Sequence, residues 1–84
     1  MKNRSTVVIC WEVLKALSSG PLGPSRLARA TNVPFDRLAE YAGPLLAKGL
    51  IRVDSSGGRD VYSITPEGMQ VLGDLDKALP KLLM

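Results

Sequence analysis

The 84-residue sequence contains no histidine and only one cysteine, Cys10. Without histidine, the chain cannot form a histidine-dependent catalytic triad, a histidine general base or most kinds of catalytic zinc site. It also lacks a Walker phosphate-binding loop and a cluster of metal ligands at a recognised spacing. Asp74 and Asp76 lie two residues apart in a predicted helix, so their carboxylates point in different directions. The sequence therefore predicts a protein that is not an enzyme and has no cofactor or metal.

Long hydrophobic runs are missing as well. Lys2 and Arg4 precede an apolar stretch that begins at Val7, an order that is typical of secretory signal peptides. Glu12 and Lys15 interrupt this stretch before it reaches the length of a signal-peptide core or a membrane span. A single cysteine cannot form an intramolecular disulfide, which indicates a reducing compartment. We expect a cytoplasmic, nucleoid-associated protein with no membrane partner.

The remaining composition is that of one folded, mildly basic domain. Hydrophobic residues make up 45% of the chain, and 84 residues are enough for one domain but not for two. The net charge of +3 favours a polyanionic partner, although only mildly. Residues 1–65 carry nine cations and five anions, whereas residues 66–84 carry two cations and three anions. We expect a basic functional part over residues 1–65 and a separate C-terminal helix over residues 66–84.

The spacing of apolar residues predicts four helices and one hairpin. Apolar residues recur at helical spacing before residue 48 and after residue 65, and the period changes to two between these segments. A glycine-rich turn over residues 55–58 separates the two expected strands. The expected elements are helices over residues 6–18, 25–30, 34–48 and from 66 onward, and strands over residues 50–54 and 60–64.

Prolines and capping residues indicate where these helices begin and where they are disturbed. Pro24 suits the first position of the second helix, and Thr65 is the expected cap of the last one. Asn32 tolerates the left-handed conformation that the turn before the third helix needs. Gly43-Pro44 predicts a kink or two abutting segments in the third helix, and Pro80 is expected to kink or end the last helix.

The same spacing predicts which side chains face the core. Cys10 is expected to be a core thiol, and Trp11 lies beside the main stripe, at the edge of the core or in a dimer interface. The expected inward-facing residues are Cys10, Val13, Leu14 and Leu17 in the first helix, Leu27 with Ala30 or Thr31 in the second, Phe35, Leu38, Tyr41 or Ala42, Leu45 and Leu46 in the third, and Tyr62 and Ile64 in the hairpin.

Two segments resemble a known family. The segment from Leu38 to Ile51, which ends in Leu-x-Lys-Gly-Leu-Ile, resembles the recognition helix and first wing strand of archaeal winged helix-turn-helix DNA-binding regulators. The segment from Tyr62 to Leu72, which begins Tyr-x-Ile-Thr-Pro-Glu-Gly, is similar to their second wing strand and final helix. Regulators of the multiple-antibiotic-resistance and phenolic-acid-repressor types share this junction. The resemblance covers residues 8–79 and implies a mainly α winged helix-turn-helix fold with a small β-hairpin wing, in the order α-α-α-β-β-α.

The resemblance implies that the third helix enters the major groove of double-stranded DNA while the wing contacts the backbone. Arg37 is the best candidate for base readout, but its neighbours Asp36 and Glu40 offer it ion pairs instead. Arg52 and Arg59 either contact DNA or pair with the aspartates of the hairpin. The candidate DNA-binding residues are Ser25, Arg26, Arg29, Asp36, Arg37, Glu40, Arg52 and Arg59.

The last helix is the expected association surface. Its leucine-rich face is too apolar to lie free in water, so it packs on the first helix, on a second subunit, or on both. The resemblance implies a homodimer that forms through this helix. The candidate dimerisation residues are Leu72, Leu75, Leu79, Leu82 and Leu83.

The favoured function is therefore that of a double-stranded DNA-binding protein that regulates transcription. Two alternatives stay open at this point. The ionisable residues of the third helix, Asp36, Arg37, Glu40 and Lys48, carry no net charge, which is unusual for a recognition helix and favours a winged-helix module that binds only proteins. A chromatin-type protein that coats DNA without sequence preference is the other alternative.

Overall fold

The computed structural model describes residues 5–83, with the backbone alone for Ser56, Leu82 and Leu83. The basic N-terminal residues Lys2 and Arg4 lie outside the described part. The elements follow the predicted order, with two additional 3₁₀ turns. They are α1 (Thr6–Leu17), α2 (Pro24–Thr31), a 3₁₀ turn (Phe35–Arg37), α3 (Leu38–Ala47), β1 (Ile51–Asp54), a second 3₁₀ turn (Ser56–Gly58), β2 (Val61–Ile64) and α4 (Pro66–Leu83).

The first helix, α1, forms the centre of the core. The Ser5 hydroxyl caps it by accepting a hydrogen bond from the Val8 N–H at 3.2 Å. Its buried residues are Ile9, Val13, Leu14 and Leu17. Three of the four predicted positions are confirmed, but Ile9 takes the fully buried place expected for Cys10, which is half-buried against the same cluster. Ile9 and Val13 are four residues apart and therefore share the buried helix face, so the aliphatic side chain of Ile9 points inward in place of the smaller Cys10 side chain.

The second helix, α2, runs from Pro24 to Thr31, which is one residue longer at each end than the predicted range. Pro24 takes the first helical position, as predicted. Leu27, Ala28 and Thr31 are buried, so Thr31 and not Ala30 faces inward. The Thr31 hydroxyl donates a hydrogen bond of 2.8 Å to the Leu27 carbonyl oxygen, which satisfies the polar group inside the core. Asn32 then adopts the predicted left-handed conformation, with φ of 56°.

The third helix is shorter than the sequence predicts. Pro34 has an extended backbone and offers no side-chain cap, so a 3₁₀ turn over Phe35–Arg37 precedes α3. The expectation that Phe35 faces the core is wrong, because its side chain is 63% exposed. Leu38, Ala42 and Leu45 are buried as predicted. The expectation that Gly43-Pro44 divides the third helix into two segments is wrong, because α3 continues through Pro44 as one helix. The 3₁₀ turn and α3 meet at Leu38 instead.

The hairpin is antiparallel, and one of its faces covers the core. Ile51 pairs with Ile64, and Val53 pairs with Tyr62, while Arg52 lies on the opposite face of the sheet. Tyr62 and Ile64 pack against the core cluster, as predicted. In the turn, Gly57 and Gly58 have φ values of 72° and 76°, which only glycine adopts without strain.

A short bridge attaches the hairpin to the loop before α2. The Tyr62 N–H donates to the Leu22 carbonyl oxygen at 2.8 Å, and the Leu22 N–H donates to the Tyr62 carbonyl oxygen at 3.0 Å. Leu22 therefore pairs with β2 through a single antiparallel bridge. This pairing holds the base of the hairpin beside the start of α2.

The fourth helix, α4, begins at a tight junction with the hairpin. The Thr65 hydroxyl accepts a hydrogen bond from the Gly68 N–H at 3.0 Å, which confirms the predicted cap, and it donates to the Gly49 carbonyl oxygen at 2.7 Å. The Thr65 N–H donates to the Leu50 carbonyl oxygen at 3.1 Å. A Cβ atom on Gly68 would overlap that same carbonyl oxygen. The helix and the strand can approach this closely only because residue 68 is glycine.

The apolar face of α4 packs on α1 of the same chain. Leu72 and Leu79 are each 6% exposed, and Leu75 is half-buried against the core. Trp11 packs at the edge of the core, and its indole N–H donates a 2.7 Å hydrogen bond to a carboxylate oxygen of Asp76. Of the two effects expected of Pro80, a kink or the end of the helix, the second is wrong, because α4 continues through Pro80 to Leu83. Within residues 5–83, no helix is long and apolar enough to cross a membrane.

Candidate nucleic-acid interface

The start of α2 and the start of β2 enclose a cleft of about 490 Å³. Its walls include Ser25 and Arg26 from the first turn of α2 and Arg59 from the wing. The Leu22–Tyr62 bridge lies at the base of this arrangement and fixes the distance between the two elements. Three of the predicted DNA-binding residues are thus brought together although they are far apart in the sequence.

The electrostatics of this cleft favour an anion. Gly23 precedes α2, and no side chain caps the helix. The unpaired backbone N–H groups of the first turn, with the partial positive charge of the helix N-terminus, therefore lie at the end of α2 that lines the cleft. Arg26 and Arg59 add two full positive charges. Asp60 also lines the cleft, where its carboxylate accepts a 2.8 Å hydrogen bond from the Ser55 hydroxyl. Two guanidinium groups outweigh this single carboxylate.

A second group of predicted residues lies at the leading edge of the third helix, which comprises the 3₁₀ turn and the first turn of α3. Arg37 Nη2 lies 3.3 Å from Glu40 Oε1, and both side chains are more than half exposed. The hydrogen bond with Glu40 raises the pKa of the Arg37 guanidinium, and the negative charge of Glu40 raises it further by a smaller amount. The ion pair that the sequence suggested as an alternative to base readout is therefore formed, and Asp36 lies exposed beside it.

The structure does not bring the other two predicted arginines into the cleft. Arg29 lies exposed in the last turn of α2, and Arg52 lies on the outer face of β1 opposite Ser63. Phe35 is a surface residue that sequence reasoning missed, since helical spacing placed it in the core. Pro34 gave no clear signal, because proline suits the first position of a helix as well as the extended conformation that Pro34 adopts.

Cys10 behaves as a structural thiol. Burial raises its pKa, and the positive charge of Lys48 lowers it by a smaller amount. Because only the thiolate reacts rapidly with alkylating reagents, we expect Cys10 of the folded protein to react with iodoacetamide at pH 8 about ten-fold more slowly than in urea. Mass spectrometry of timed samples measures both rates. Equal rates would show that burial does not protect the thiol.

Within residues 5–83, no three cysteine, aspartate or glutamate side chains lie close enough together to hold a metal ion.

Comparison with known proteins gives a consistent picture. A family model described as winged helix-turn-helix matches residues 3–81. No curated protein matches the chain. Among solved structures, the transcriptional regulator BldR from Sulfolobus solfataricus superposes with a TM-score of 0.82 at 32% identity, over 90% of this chain and 57% of BldR. The chain therefore spans just over half of BldR.

Two more distant structures share the fold. Sso10a-2, a DNA-binding protein from Sulfolobus solfataricus, has a TM-score of 0.83 at 18% identity, over 92% of this chain and 80% of its own. The transcriptional repressor CouR, solved on a 23-mer DNA duplex, has a TM-score of 0.73 at 18% identity, over 80% of this chain and 50% of its own. The family match extends over nearly all of the sequence, and the observed helices and hairpin follow the order that the sequence resemblance implies. The chain belongs to the winged helix-turn-helix family.

Proposed function

We propose that this domain binds double-stranded DNA and regulates transcription. The observation that carries the proposal is the cleft that Arg26 of α2 and Arg59 of the wing line together with an uncapped helix terminus. Arginine and a helix N-terminus are the groups that proteins use most often to hold phosphates. BldR is a transcriptional regulator, Sso10a-2 is a DNA-binding protein, and CouR is a transcriptional repressor that was solved on a DNA duplex. These three similar structures support the same proposal.

In this proposal the cleft positions the protein on the phosphate backbone, and the leading edge of the third helix enters the major groove. The major groove of B-form DNA is wide enough for one α-helix. Arg29 and Arg52, which lie outside the cleft, are assigned to more distant phosphates. Because the Arg37–Glu40 ion pair competes with base readout, Arg37 must exchange Glu40 for a guanine if it reads a base.

We also propose that the domain acts as a homodimer through α4. Leu72 and Leu79 are already buried against their own chain, so the dimer contact is assigned to the residues that follow Leu79, with Leu75 at its edge. The sequence places Leu82 and Leu83 there. Sedimentation equilibrium with increasing protein concentration tests this assignment, and a mass of one chain at all concentrations would contradict it.

The experiment that tests DNA binding is selection of duplexes from a random pool, followed by a salt titration of the selected duplex. Each phosphate contact contributes about −0.9 to the slope of log affinity against log salt. Two contacts at the cleft therefore predict a slope of about −2 or steeper for each bound chain. A slope near zero would contradict the proposal, and uniform recovery of all sequences would indicate non-specific coating.

One observation favours a second function, a winged helix that binds only proteins. The leading edge carries two carboxylates and one arginine that is already paired, so it presents little positive charge to DNA. Gel retardation at low salt separates the two functions. A protein-binding module would leave every duplex unretarded.

A further inference from the structure

Phe35 is exposed for no reason that the fold requires. It is the single phenylalanine in the sequence, and its side chain is 63% exposed. The 3₁₀ turn that contains it has no buried residue, and Leu38, Ala42 and Leu45 already close the core beneath α3. Burial of an aromatic ring is favourable in free energy. A binding partner that covers Phe35 therefore binds more tightly.

The position of Phe35 indicates which partner covers it. Phe35 lies two residues before Arg37 at the leading edge of the third helix. Ala39, four residues after Phe35, is exposed as well, and neither residue is charged. Beside this uncharged pair, Arg37 is held by Glu40. In the segment that the proposed function places in the major groove, the leading edge thus offers an apolar contact surface, the paired Arg37 and Glu40, and the exposed carboxylate of Asp36.

We propose that Phe35, together with the exposed Ala39, contacts the 5-methyl group of thymine in the major groove and makes thymine content part of the sequence preference. This inference rests on the proposed DNA-binding function and deepens it. The thymine methyl is the apolar group that base pairs present in the major groove, and phenylalanine and alanine are among the side chains that contact it. Arg37 must leave Glu40 before it can contact a base, whereas the apolar contact of Phe35 requires no such rearrangement.

The test compares two versions of the duplex obtained by selection. One carries thymine, and in the other every thymine is replaced by deoxyuridine, which pairs identically but lacks the 5-methyl group. We expect the wild-type protein to bind the thymine duplex three- to five-fold more tightly for each contacted methyl. Phe35→Ala should bind the two duplexes with nearly equal affinity, whereas Phe35→Leu should retain part of the preference.

Met69→Ala is the matched control, because Met69 is also a large exposed apolar residue but lies on α4. It should keep the full preference for thymine. Circular dichroism of each variant checks that it is folded. If the wild type binds both duplexes equally, or if Phe35→Ala keeps the preference, Phe35 does not read thymine although the domain binds DNA. If no duplex is retarded, the proposed function itself is overturned.

Discussion

Gly68→Ala is expected to lower the free energy of unfolding by about 3 kcal/mol or more, which is a large part of the stability of a small domain. A Cβ atom at residue 68 would overlap the Leu50 carbonyl oxygen and lie 2.7 Å from Cγ1 of Ile64. The Leu50 carbonyl cannot easily move away, because it accepts the Thr65 N–H and lies next to the start of β1. Thermal denaturation followed by circular dichroism should show a melting temperature about 15 °C lower than that of the wild type.

Gly73→Ala in the same helix is the control for this prediction. A Cβ atom at residue 73 would meet nothing within 4 Å. Alanine favours a helix interior over glycine by about 0.5–1 kcal/mol, so this variant should be slightly more stable than the wild type. If both substitutions have the same effect on stability, the close approach between α4 and β1 is not what requires glycine at position 68.

The second large effect is expected at the cleft. The double substitution Arg26→Glu and Arg59→Glu should weaken binding to the selected duplex at least about 100-fold at low salt, because it removes two cations and places two carboxylates beside the phosphates. Both residues line the same cleft, so the two changes act on one site. Fluorescence anisotropy with a labelled duplex measures the affinity. Sequence preference should persist in the residual binding, since phosphate contacts carry no base information.

The control for this prediction reverses the same number of charges elsewhere. Lys15→Glu with Lys77→Glu changes the net charge equally but alters two exposed positions, one on α1 and one on α4, outside the cleft. This variant should lose much less affinity, because only the long-range field of the protein changes. Equal losses for the two double variants would mean that net charge, and not the geometry of the cleft, governs DNA binding.

Features that depend on neighbouring residues in the chain could be predicted from the sequence. Pro24 begins α2, Thr65 caps α4, and Asn32 adopts a left-handed conformation, because each depends on backbone geometry within four or five residues. The hairpin followed from alternating apolar residues around a glycine-rich turn. The order of helices and strands was therefore predictable.

Side chains at the edges of buried faces were harder to predict. Cys10 and Ile9 are neighbours on α1, and a small rotation of the helix about its axis decides which of them faces inward. Phe35 fits the apolar periodicity of the third helix, but the extended backbone of Pro34 replaces the first helical turn with a 3₁₀ turn. Periodicity assumes one regular helix and fails where the backbone departs from it.

The amino-acid order alone was sufficient for the succession of elements, the family resemblance and the candidate cations, since these depend on short-range patterns. Packing in three dimensions was needed to determine which candidates share a surface. Arg26 and Arg59 line one cleft because the Leu22–Tyr62 bridge joins the hairpin to the loop before α2, and Arg37 faces Glu40 because both lie on one exposed edge. Contacts between residues far apart in the chain form only when the whole core assembles, and no local pattern encodes their distances.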